Sequence, residues 1–377
     1  MIVSNKIKVL HIIYDLSVAG AQTVVMNYLR GLKDDSNYEM KLIVRDPSHN
    51  SENDIVAINE GLSVKYCNYK PYLGIPGFRT IVNWLRCQKL FYKEIKEFQP
   101  DIIHTHLTDI LPFVLIPAKM SKAKCYVHTL HSDPYAIAPR FVKWAKKAFN
   151  KYGFYPVCVT ESQAKKAVEL YGFTDYSVVH NGIDLARFEI GESQEGIRKT
   201  LGIAPNSYVI GCVGRFSKIK NYGFLINVFA EYKKRNNKAV LLLVGDGEEK
   251  KHCMELVEKL CISDSVVFAG QHQDVERMYK AMDVFMLTSF YESNSIVTVE
   301  AQCAGLRCVV ADSVPSSVVA TDGVNRISFD EPIERWVNAI DGKVACEITE
   351  SYLDDFSMNH TIDELKEVYK KLLGGKH

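Results

Sequence analysis

Residues 288–312, T-S-F-Y-E-S-N-S-I-V-T-V-E-A-Q-C-A-G-L-R-C-V-V-A-D, contain the pattern that decides the fold. An apolar strand predicted over 283–287 runs into a polar loop, and residues 293–295, S-N-S, are of the types that cap helices. The apolar helix that follows is expected to start near Ile296, and a new strand is expected over 307–311. Strand, helix and strand in succession are typical of a parallel sheet.

Two carboxylates in this stretch are candidates for ligand binding. Glu300 is the one charge within the apolar helix, and Glu292 lies eight residues earlier in the loop. A carboxylate among apolar side chains is unfavourable unless something pairs with it. The loop between a parallel strand and its helix is also where open α/β sheets bind ligands. The pair therefore suits a polyhydroxylated ligand; the alternative is a structural Glu300 paired with an Arg or Lys.

The composition bounds the class of protein. A chain of 377 residues predicts two domains, and 47% hydrophobic with 24% charged residues is ordinary for a globular protein. The net charge of +1 gives no general attraction to nucleic acid. Ten scattered cysteines without a C-x-x-C pair predict reduced thiols, and no apolar run approaches the roughly 20 residues that span a bilayer. The sequence therefore predicts a cytoplasmic protein without a signal peptide.

Positive charge is concentrated in one part of the chain. Between Val64 and Lys151 there are 15 Lys and Arg residues against 5 Asp and Glu residues, whereas the whole chain has 46 against 45. Within this part, residues 140–149, R-F-V-K-W-A-K-K-A-F, combine aromatic, aliphatic and basic side chains that suit an anionic membrane surface. The alternative is a basic face that is only solvated.

Strand and helix patterns alternate along nearly the whole chain, which predicts two doubly wound domains, at 1–178 and 179–358, around a break at 180–188. A last helix is expected over 361–373, after a turn at 358–360. In the first domain, strands are expected over 6–13, 38–44, 62–66, 101–105, 124–129 and 155–159, and helices over 20–33, 78–98, 109–120, 138–151 and 161–171.

Strand ends of the first domain carry further candidates. Gly20, in the turn after the first strand, would let the backbone approach a ligand, or simply make a tight turn. His104 and His106 end the strand D-I-I-H-T-H, but no carboxylate–histidine set accompanies them, so no metal site is predicted. The segment Y-V-H-T-L-H-S-D-P-Y places His131 after the next strand, and His128 is expected within that strand.

A basic pair marks the second domain. Arg215 and Lys220, in V-G-R-F-S-K-I-K-N, follow a strand at a glycine-bearing turn. Arg offers a bidentate fork and Lys a point charge, which together suit a diphosphate; the alternative is two surface charges. Two more glycine-bearing turns follow buried strands, at Gly245 in L-L-L-V-G-D-G-E and at Gly270 in V-V-F-A-G-Q-H-Q-D-V. No D-x-D, a common metal-binding motif, occurs in the chain.

Together these segments resemble the retaining, GT-B-fold glycosyltransferases of family 4. Glu292 and Glu300 match that family's Glu-x7-Glu motif, and the residues after Glu300 resemble its E-A-x-A-x-G-x-P-V-V-A-S segment. A-G-A-Q at 19–22, with Ala19 in place of the first Gly, is similar to its G-G-x-E/Q turn, and residues 214–220 are similar to its G-R-L-x-x-x-K segment. The resemblance implies two tandem Rossmann-like domains with a cleft between them, and a C-terminal helix, 359–377, that joins the first domain.

The resemblance also implies an activity. The enzyme would move a sugar, with retention and without a metal or other cofactor, from a nucleotide diphosphate sugar, expected to be UDP-linked, to an acceptor hydroxyl. The expected acceptor is a lipid-linked saccharide of bacterial exopolysaccharide, capsule or lipopolysaccharide synthesis. The protein would then contact the inner face of the cytoplasmic membrane peripherally, and it would bind no nucleic acid.

The roles of individual residues follow from the same resemblance. The residues expected to act in catalysis are His131, Glu292, Arg215 and Lys220. Those expected to bind the donor are Gly20, Arg215, Lys220, Gly245, Gly270, His272, Glu292, Asn294, Ser295, Ile296 and Glu300. His106 and Asp133 are expected on the acceptor side, although Asp133 could instead cap the loop before Pro134.

Two other functions would use similar residues. A GT-B-fold nucleotide-sugar epimerase would turn over a UDP-sugar without an acceptor. A non-catalytic subunit that binds a nucleotide sugar and activates a partner would bind the donor without turnover.

Overall fold

The computed structural model describes residues 6–17, 20–71, 73, 78–272, 274–292, 294–320, 322–342 and 350–374. The chain divides into two compact units. The first unit consists of Met1–Gly182 with Met358–His377, and the second of Ile183–Ser357. Each unit is a parallel β-sheet with α-helices, so the predicted fold class is confirmed.

The first unit contains a seven-stranded parallel sheet. Its elements are β1 (Ile7–Ile13), α1 (Gly20–Leu32), β2 (Tyr38–Val44), α2 (Glu52–Asn59), β3 (Val64–Tyr66), α3 (Phe78–Phe98), β4 (Ile102–His106), α4 (Leu111–Lys119), β5 (Cys125–Leu130), α5 (Pro139–Asn150), β6 (Phe154–Cys158), α6 (Glu161–Tyr171) and β7 (Ser177–Val178). The strand order is β3-β2-β1-β4-β5-β6-β7. The short elements α2 and β7 were not predicted, whereas the other predicted elements agree to within about two residues at each end.

The second unit contains a six-stranded parallel sheet. Its elements are α7 (Gln194–Thr200), β8 (Tyr208–Val213), α8 (Tyr222–Arg235), β9 (Ala239–Val244), α9 (Lys250–Lys259), β10 (Val266–Gly270), α10 (Val275–Lys280), β11 (Val284–Leu287), α11 (Ile296–Cys303), β12 (Arg307–Ala311), β13 (Val324–Ile327), α12 (Ile333–Ile340) and α13 (Glu350–Asp355). The strand order is β10-β9-β8-β11-β12-β13. Along the chain, strands are added on one side of β8 as far as β10, and on its other side from β11 onward. The strand order of the first unit reverses in the same way between β1 and β4.

The last helix, α14 (Met358–Gly374), belongs to the first unit. The turn predicted at 358–360 is wrong, because these residues already form the first turn of the helix. The apolar side of α14 is buried in one core with α1 and β1. None of the helices in the described part of the chain combines the length and the apolar character that crossing a bilayer requires.

Two contacts fix α14 on the first unit. At one end, Glu364 accepts hydrogen bonds from the backbone N–H of His180, at 2.7 Å, and pairs with its Nδ1, at 2.8 Å. Elsewhere α14 passes close to α1 at Gly31, where an added Cβ would lie 2.4 Å from Cγ1 of Ile362. The helices α1 and α14 therefore pack this closely because Gly31 has no side chain.

We expect the substitution Gly31→Ala to lower the free energy of unfolding by about 1 kcal/mol. Overpacking costs about 1–3 kcal/mol, which exceeds the roughly 0.5–1 kcal/mol that Ala gains over Gly within a helix. Urea unfolding measures the change. Gly20→Ala is the control, since a Cβ there meets no atom within 4 Å. The packing argument is wrong if Gly31→Ala costs as much in an Ile362→Ala background as in the native chain, because that background removes the clash.

Candidate active site

The loops that follow β8 and β11 meet where the strand order of the second unit reverses. The backbone N–H of Phe290 donates to the carbonyl of Ile219 at 2.7 Å, and the hydroxyl of Thr288 donates to the carbonyl of Asn221 at 3.0 Å. Asn221 has a φ of 51°, a left-handed conformation that Asn tolerates better than most residues. These bonds hold together two loops at the position where open α/β sheets bind ligands.

Lys220 and Glu292, one from each of these loops, form an ion pair. Lys220 Nζ lies 2.6 Å from Glu292 Oε1, and their side chains are 19% and 10% exposed. The hydroxyl of Ser289 donates to the same carboxylate oxygen at 2.5 Å. The structure thus brings together two residues that the sequence assigned separately to a diphosphate and to a sugar. A charge pair this shielded from water would be unfavourable to break by removing one partner.

Arg215, the other predicted diphosphate ligand, lies at the surface. Its side chain is 73% exposed and its Nη2 is 3.0 Å from Oε2 of Glu248. Such an exposed ion pair contributes little to stability, so moving the guanidinium from Glu248 to a ligand would cost little free energy. Arg215 and Lys220 therefore do not form a preassembled pair, since each contacts its own carboxylate.

Glu300 lies on α11, and its Oε2 accepts a hydrogen bond from the hydroxyl of Tyr279 at 2.8 Å. Burial raises the pKa of the Glu300 carboxyl to about 7, although the Tyr279 hydrogen bond and the charge of Arg187 oppose this shift. Among the described residues Glu300 makes no ion pair, so the alternative of a salt-bridged structural carboxylate is wrong. The Glu300 carboxyl is therefore partly protonated at neutral pH.

Two glycines, Gly245 and Gly270, lie where β9 and β10 end. The N–H of Gly245 donates to the carbonyl of Gly270 at 2.7 Å, which joins the ends of β9 and β10. Gly245 has a φ of 132°, and a Cβ there would lie 2.1 Å from the carbonyl oxygen of Gly214. Close approach of two loops therefore requires glycine at this position. His272 follows, with its Nε2 3.1 Å from the carbonyl oxygen of Ala269.

The N-terminus of α11 differs from the expected capping arrangement. The helix begins at Ile296, as predicted, but the hydroxyl of Ser295 pairs with that of Thr298 at 2.9 Å and caps no backbone N–H. Ser293 lies outside the described residues. Within the part of the chain that the structure describes, Asn294 Nδ2 is buried and has no hydrogen-bond partner. Asn294 therefore offers a buried N–H donor in the same loop as Glu292.

In the first unit, His131 follows β5 and contacts other histidines. His131 Nε2 lies 3.0 Å from His106 Nδ1, and His106 Nε2 lies 2.8 Å from His11 Nδ1. Burial lowers the pKa of His131 and of His11 to about 3 and that of His106 well below its usual value. All three imidazoles are therefore neutral at physiological pH. His128 lies within β5, as predicted.

The residues expected on the acceptor side have internal partners. His106 is 0% exposed, so it reaches a ligand only through His131. Asp133 accepts from the N–H of Tyr135 at 2.7 Å and pairs with Lys166 at 2.7 Å, which fits the capping alternative. Gly20 is the first residue of α1 and is exposed. The acceptor-side roles of His106 and Asp133 and the donor role of Gly20 stay predictions.

Several partners of these groups were not predicted, namely His11, Glu248, Tyr279, Ser289 and Tyr369. One of them had a signal in the sequence. His11 interrupts the apolar strand V-L-H-I-I, just as Glu300 interrupts an apolar helix, and a buried polar side chain of this kind needs a partner. With His104 and His106, it forms a group whose nitrogens all lie within 4.8 Å of one another, a spacing that could also hold a metal ion.

Comparison with known proteins agrees with this architecture. The model of the Glycosyltransferase Family 4 domain matches residues 18–187, and the model of Glycosyl transferases group 1 matches residues 193–357. Among solved structures, Anabaena Alr3699/HepE in complex with UDP and glucose superimposes with a TM-score of 0.79 at 16% sequence identity, covering 97% of this chain and 99% of that one. At this identity the likeness shows the fold, which is GT-B.

Two curated relatives span most of the chain. The putative glycosyltransferase EpsF of Bacillus subtilis is 28% identical over 351 residues, which is 89% of this chain and 88% of that protein. The Escherichia coli UDP-Gal:alpha-D-GlcNAc-diphosphoundecaprenol alpha-1,3-galactosyltransferase is 26% identical over 306 residues, 76% of this chain and 79% of its own length. With both units matched by glycosyltransferase models, the chain belongs to the GT-B-fold glycosyltransferases of family 4.

Proposed function

We propose that this glycosyltransferase moves a hexose, with retention, from a UDP-sugar to a hydroxyl of a lipid-linked saccharide. The observation that carries the proposal is the shielded Lys220–Glu292 pair at the strand-order reversal of the second unit. In this pair, a cation that suits phosphate is in contact with a carboxylate that suits sugar hydroxyls. Glu300 lies on the helix that the same loop enters.

Donor binding would redistribute these contacts. Lys220 carries three N–H donors, so a diphosphate oxygen can accept from it while Glu292 stays within reach. Arg215 would leave its exposed contact with Glu248 and add a bidentate contact to the same diphosphate. The two cations would then stabilise the negative charge that develops on the departing UDP. Glu300 would accept from the ribose hydroxyls.

Glu292 and His131 would act on the transferred sugar. The Glu292 carboxylate would bind sugar hydroxyls and stabilise positive charge at the anomeric carbon. By analogy with the family, the acceptor attacks on the face that the diphosphate leaves, and a diphosphate oxygen takes the acceptor's proton. This route needs no carboxylate nucleophile, unlike that of retaining glycosidases. The neutral imidazole of His131 would position the sugar without repelling that charge.

A uridine donor is supported by the relatives. The E. coli relative is named for UDP-Gal, and the Anabaena structure contains UDP and glucose. The turn at Gly270 and His272 supplies backbone groups at the end of β10, where a base could be recognised. UDP is therefore the nucleotide we propose.

A cavity in the first unit supports an amphipathic, anionic acceptor. Its volume is about 970 Å³, and α5 contributes Arg140, Phe141 and Trp144 to its lining. Arg79 and Trp84 of α3 line it too, so guanidinium groups and aromatic rings alternate around one space. The E. coli relative is named for an undecaprenol-diphosphate acceptor, which is a lipid of this kind. Exposed apolar side chains on α3, Ile81 at 56% and Leu85 at 54%, extend the apolar surface.

Donor binding provides the first test. Lys220→Ala and Glu300→Ala should each weaken UDP binding at least about tenfold, since each removes one charged contact. Calorimetry with UDP and GDP measures the affinity and the choice of base. Lys234→Ala is the control, because that lysine pairs with Glu231 at the surface of the same unit. The double variant Lys220→Met/Glu292→Gln removes both charges. A loss of UDP binding in this variant therefore does not come from one buried charge left without its partner. If the native protein binds no nucleotide, the donor site is wrong.

The affinity for UDP should rise with pH. Because the pKa of Glu300 is about 7, only about one Glu300 in ten is ionised near pH 6 and about nine in ten near pH 8. If the ribose hydroxyls bind the ionised form, UDP should bind roughly tenfold more tightly near pH 8. The phosphate of UDP also titrates, near about pH 6, so Glu300→Gln provides the reference. An equal pH dependence in both proteins would contradict the assignment of Glu300.

The acceptor proposal predicts binding to anionic vesicles at low salt. Arg140→Ala and Trp144→Ala should each weaken this binding several-fold, because one removes a cation and the other an aromatic anchor. Sedimentation with vesicles that contain about a third phosphatidylglycerol measures it. Lys251→Ala, at a lysine that is 90% exposed in the second unit, controls for loss of any positive charge. A native protein with no preference for anionic over neutral vesicles would contradict the proposal.

A further inference from the structure

A continuous row of hydrogen-bonding side chains connects His131 to α14. Beyond the His131–His106 and His106–His11 contacts, His11 Nε2 lies 3.5 Å from the hydroxyl of Tyr369. That hydroxyl lies 2.8 Å from His104 Nδ1, and His104 Nε2 lies 2.7 Å from the hydroxyl of Thr129. We call these six side chains the histidine row: His131, His106, His11, Tyr369, His104 and Thr129.

The sheet builds the histidine row from neighbouring strands. His11 on β1 is paired in register with His104 on β4, and His106 lies two residues further on, on the same face. His104 and His106 stack with ring centroids 4.3 Å apart. Apart from His131, every imidazole of the row and Tyr369 are 0% exposed, so water does not supply their partners.

The positions of the protons on the rings of the histidine row depend on one another. A neutral imidazole carries one N–H, so each ring that accepts at one nitrogen must donate from the other. If His131 donates from Nε2 to His106, then His106 donates to His11, and His11 donates to Tyr369. Tyr369 then donates to His104. If the direction is reversed, every proton moves to the opposite side of its ring and His131 carries its proton on Nδ1.

The free end of the row is His131 Nδ1. Among the described residues this nitrogen is buried and has no hydrogen-bond partner. A buried N–H without an acceptor is rarer in proteins than a buried acceptor without a donor. The first direction, which leaves a lone pair at Nδ1, is therefore favoured when no ligand is bound. This is also the form that can accept a hydrogen bond from a hydroxyl.

We propose that the histidine row sets the tautomer of His131, so that Nδ1 accepts a hydrogen bond from a hydroxyl of the transferred sugar. Tyr369 and His106 are then positioning residues, because they act on the sugar only through His131. The inference rests on the proposed function in so far as the ligand is a donor sugar. It gives a role to Tyr369 of α14, which is 238 residues away from His131 in the sequence.

A metal ion is the other possible occupant of this cluster. It would bind nitrogens of His11, His104 and His106, which already make hydrogen bonds. Three histidines can bind zinc, but a metal ion here would break the hydrogen bonds that the same nitrogens make with one another and with Tyr369. The hydrogen-bonded row accounts for the observed distances without that cost, and metal analysis of the purified protein distinguishes the two.

Tyr369→Phe is the decisive variant. Without the hydroxyl, an N–H on His11 Nε2 has no acceptor, so the first direction also leaves one buried N–H unpaired. The reversed direction, in which His11 donates to His106 and His106 to His131, is then no longer disfavoured, and a larger fraction of His131 should carry its proton on Nδ1. Tyr28→Phe is the matched control: the Tyr28 ring lies 6.2 Å from those of His11, His104 and His106, and its buried hydroxyl has no partner among the described residues.

Nitrogen-15 NMR of histidine-labelled protein, which distinguishes protonated from unprotonated ring nitrogens, measures the tautomer directly. We expect Nε2–H on His131 in the native protein and in Tyr28→Phe, and a clearly larger fraction of Nδ1–H in Tyr369→Phe. Unchanged His131 signals in Tyr369→Phe, or an equal change in Tyr28→Phe, would overturn the proposal. A stoichiometric metal ion whose removal shifts the signals of His11, His104 and His106 would overturn it too.

Kinetics test the consequence for transfer. Tyr369→Phe should lower kcat several-fold, with the Kd for UDP unchanged, because the fraction of His131 that carries its proton on Nδ1 cannot accept a hydrogen bond from the sugar hydroxyl. A tautomer change without a change in kcat would overturn the positioning role. If the native protein transfers no sugar, the proposed function fails, but the NMR result still decides whether the row controls His131.

Discussion

Both sheets are parallel, and helices bury their faces, so the carboxyl ends of the strands are the main place where polar side chains can meet a ligand. The strands read as apolar runs because each face is covered. Lys220, Glu292 and His131 all follow strand ends. Lys220 and Glu292 lie at such ends and pair with each other, because a lone charge inside the layers would be strongly unfavourable. The location of the site is thus a consequence of the way the core is built.

Much of this could be predicted from the sequence. The apolar runs and turn residues predicted the alternation of strands and helices, and α1, α3, α6 and β12 lie close to their expected bounds. The short strand β7 was missed, because two residues carry no periodicity. The beginning of α14 was misplaced, because Asn359 and His360 are weak helix formers. Their helical conformation depends on tertiary contacts that no local pattern contains.

The candidate site was predictable as a set of residues but not as a set of pairs. Glu292 and Lys220 were both identified, yet their contact depends on which two strands are neighbours at the reversal of the sheet. The partner of Glu300 is a tyrosine from another helix, where a basic residue was the alternative expected. The partner of Arg215 is an ordinary surface glutamate. Motif spacing gives the chemistry of each residue, whereas topology decides which groups compensate one another.

The discontinuity of the first unit has a consequence for biosynthesis. Its core includes Ile362, Leu365 and Tyr369, which are translated after the whole of the second unit. A ribosome-bound chain therefore carries an incomplete first unit, with the apolar side of α1 uncovered, until these last residues emerge. The second unit is continuous in sequence and can finish folding before then.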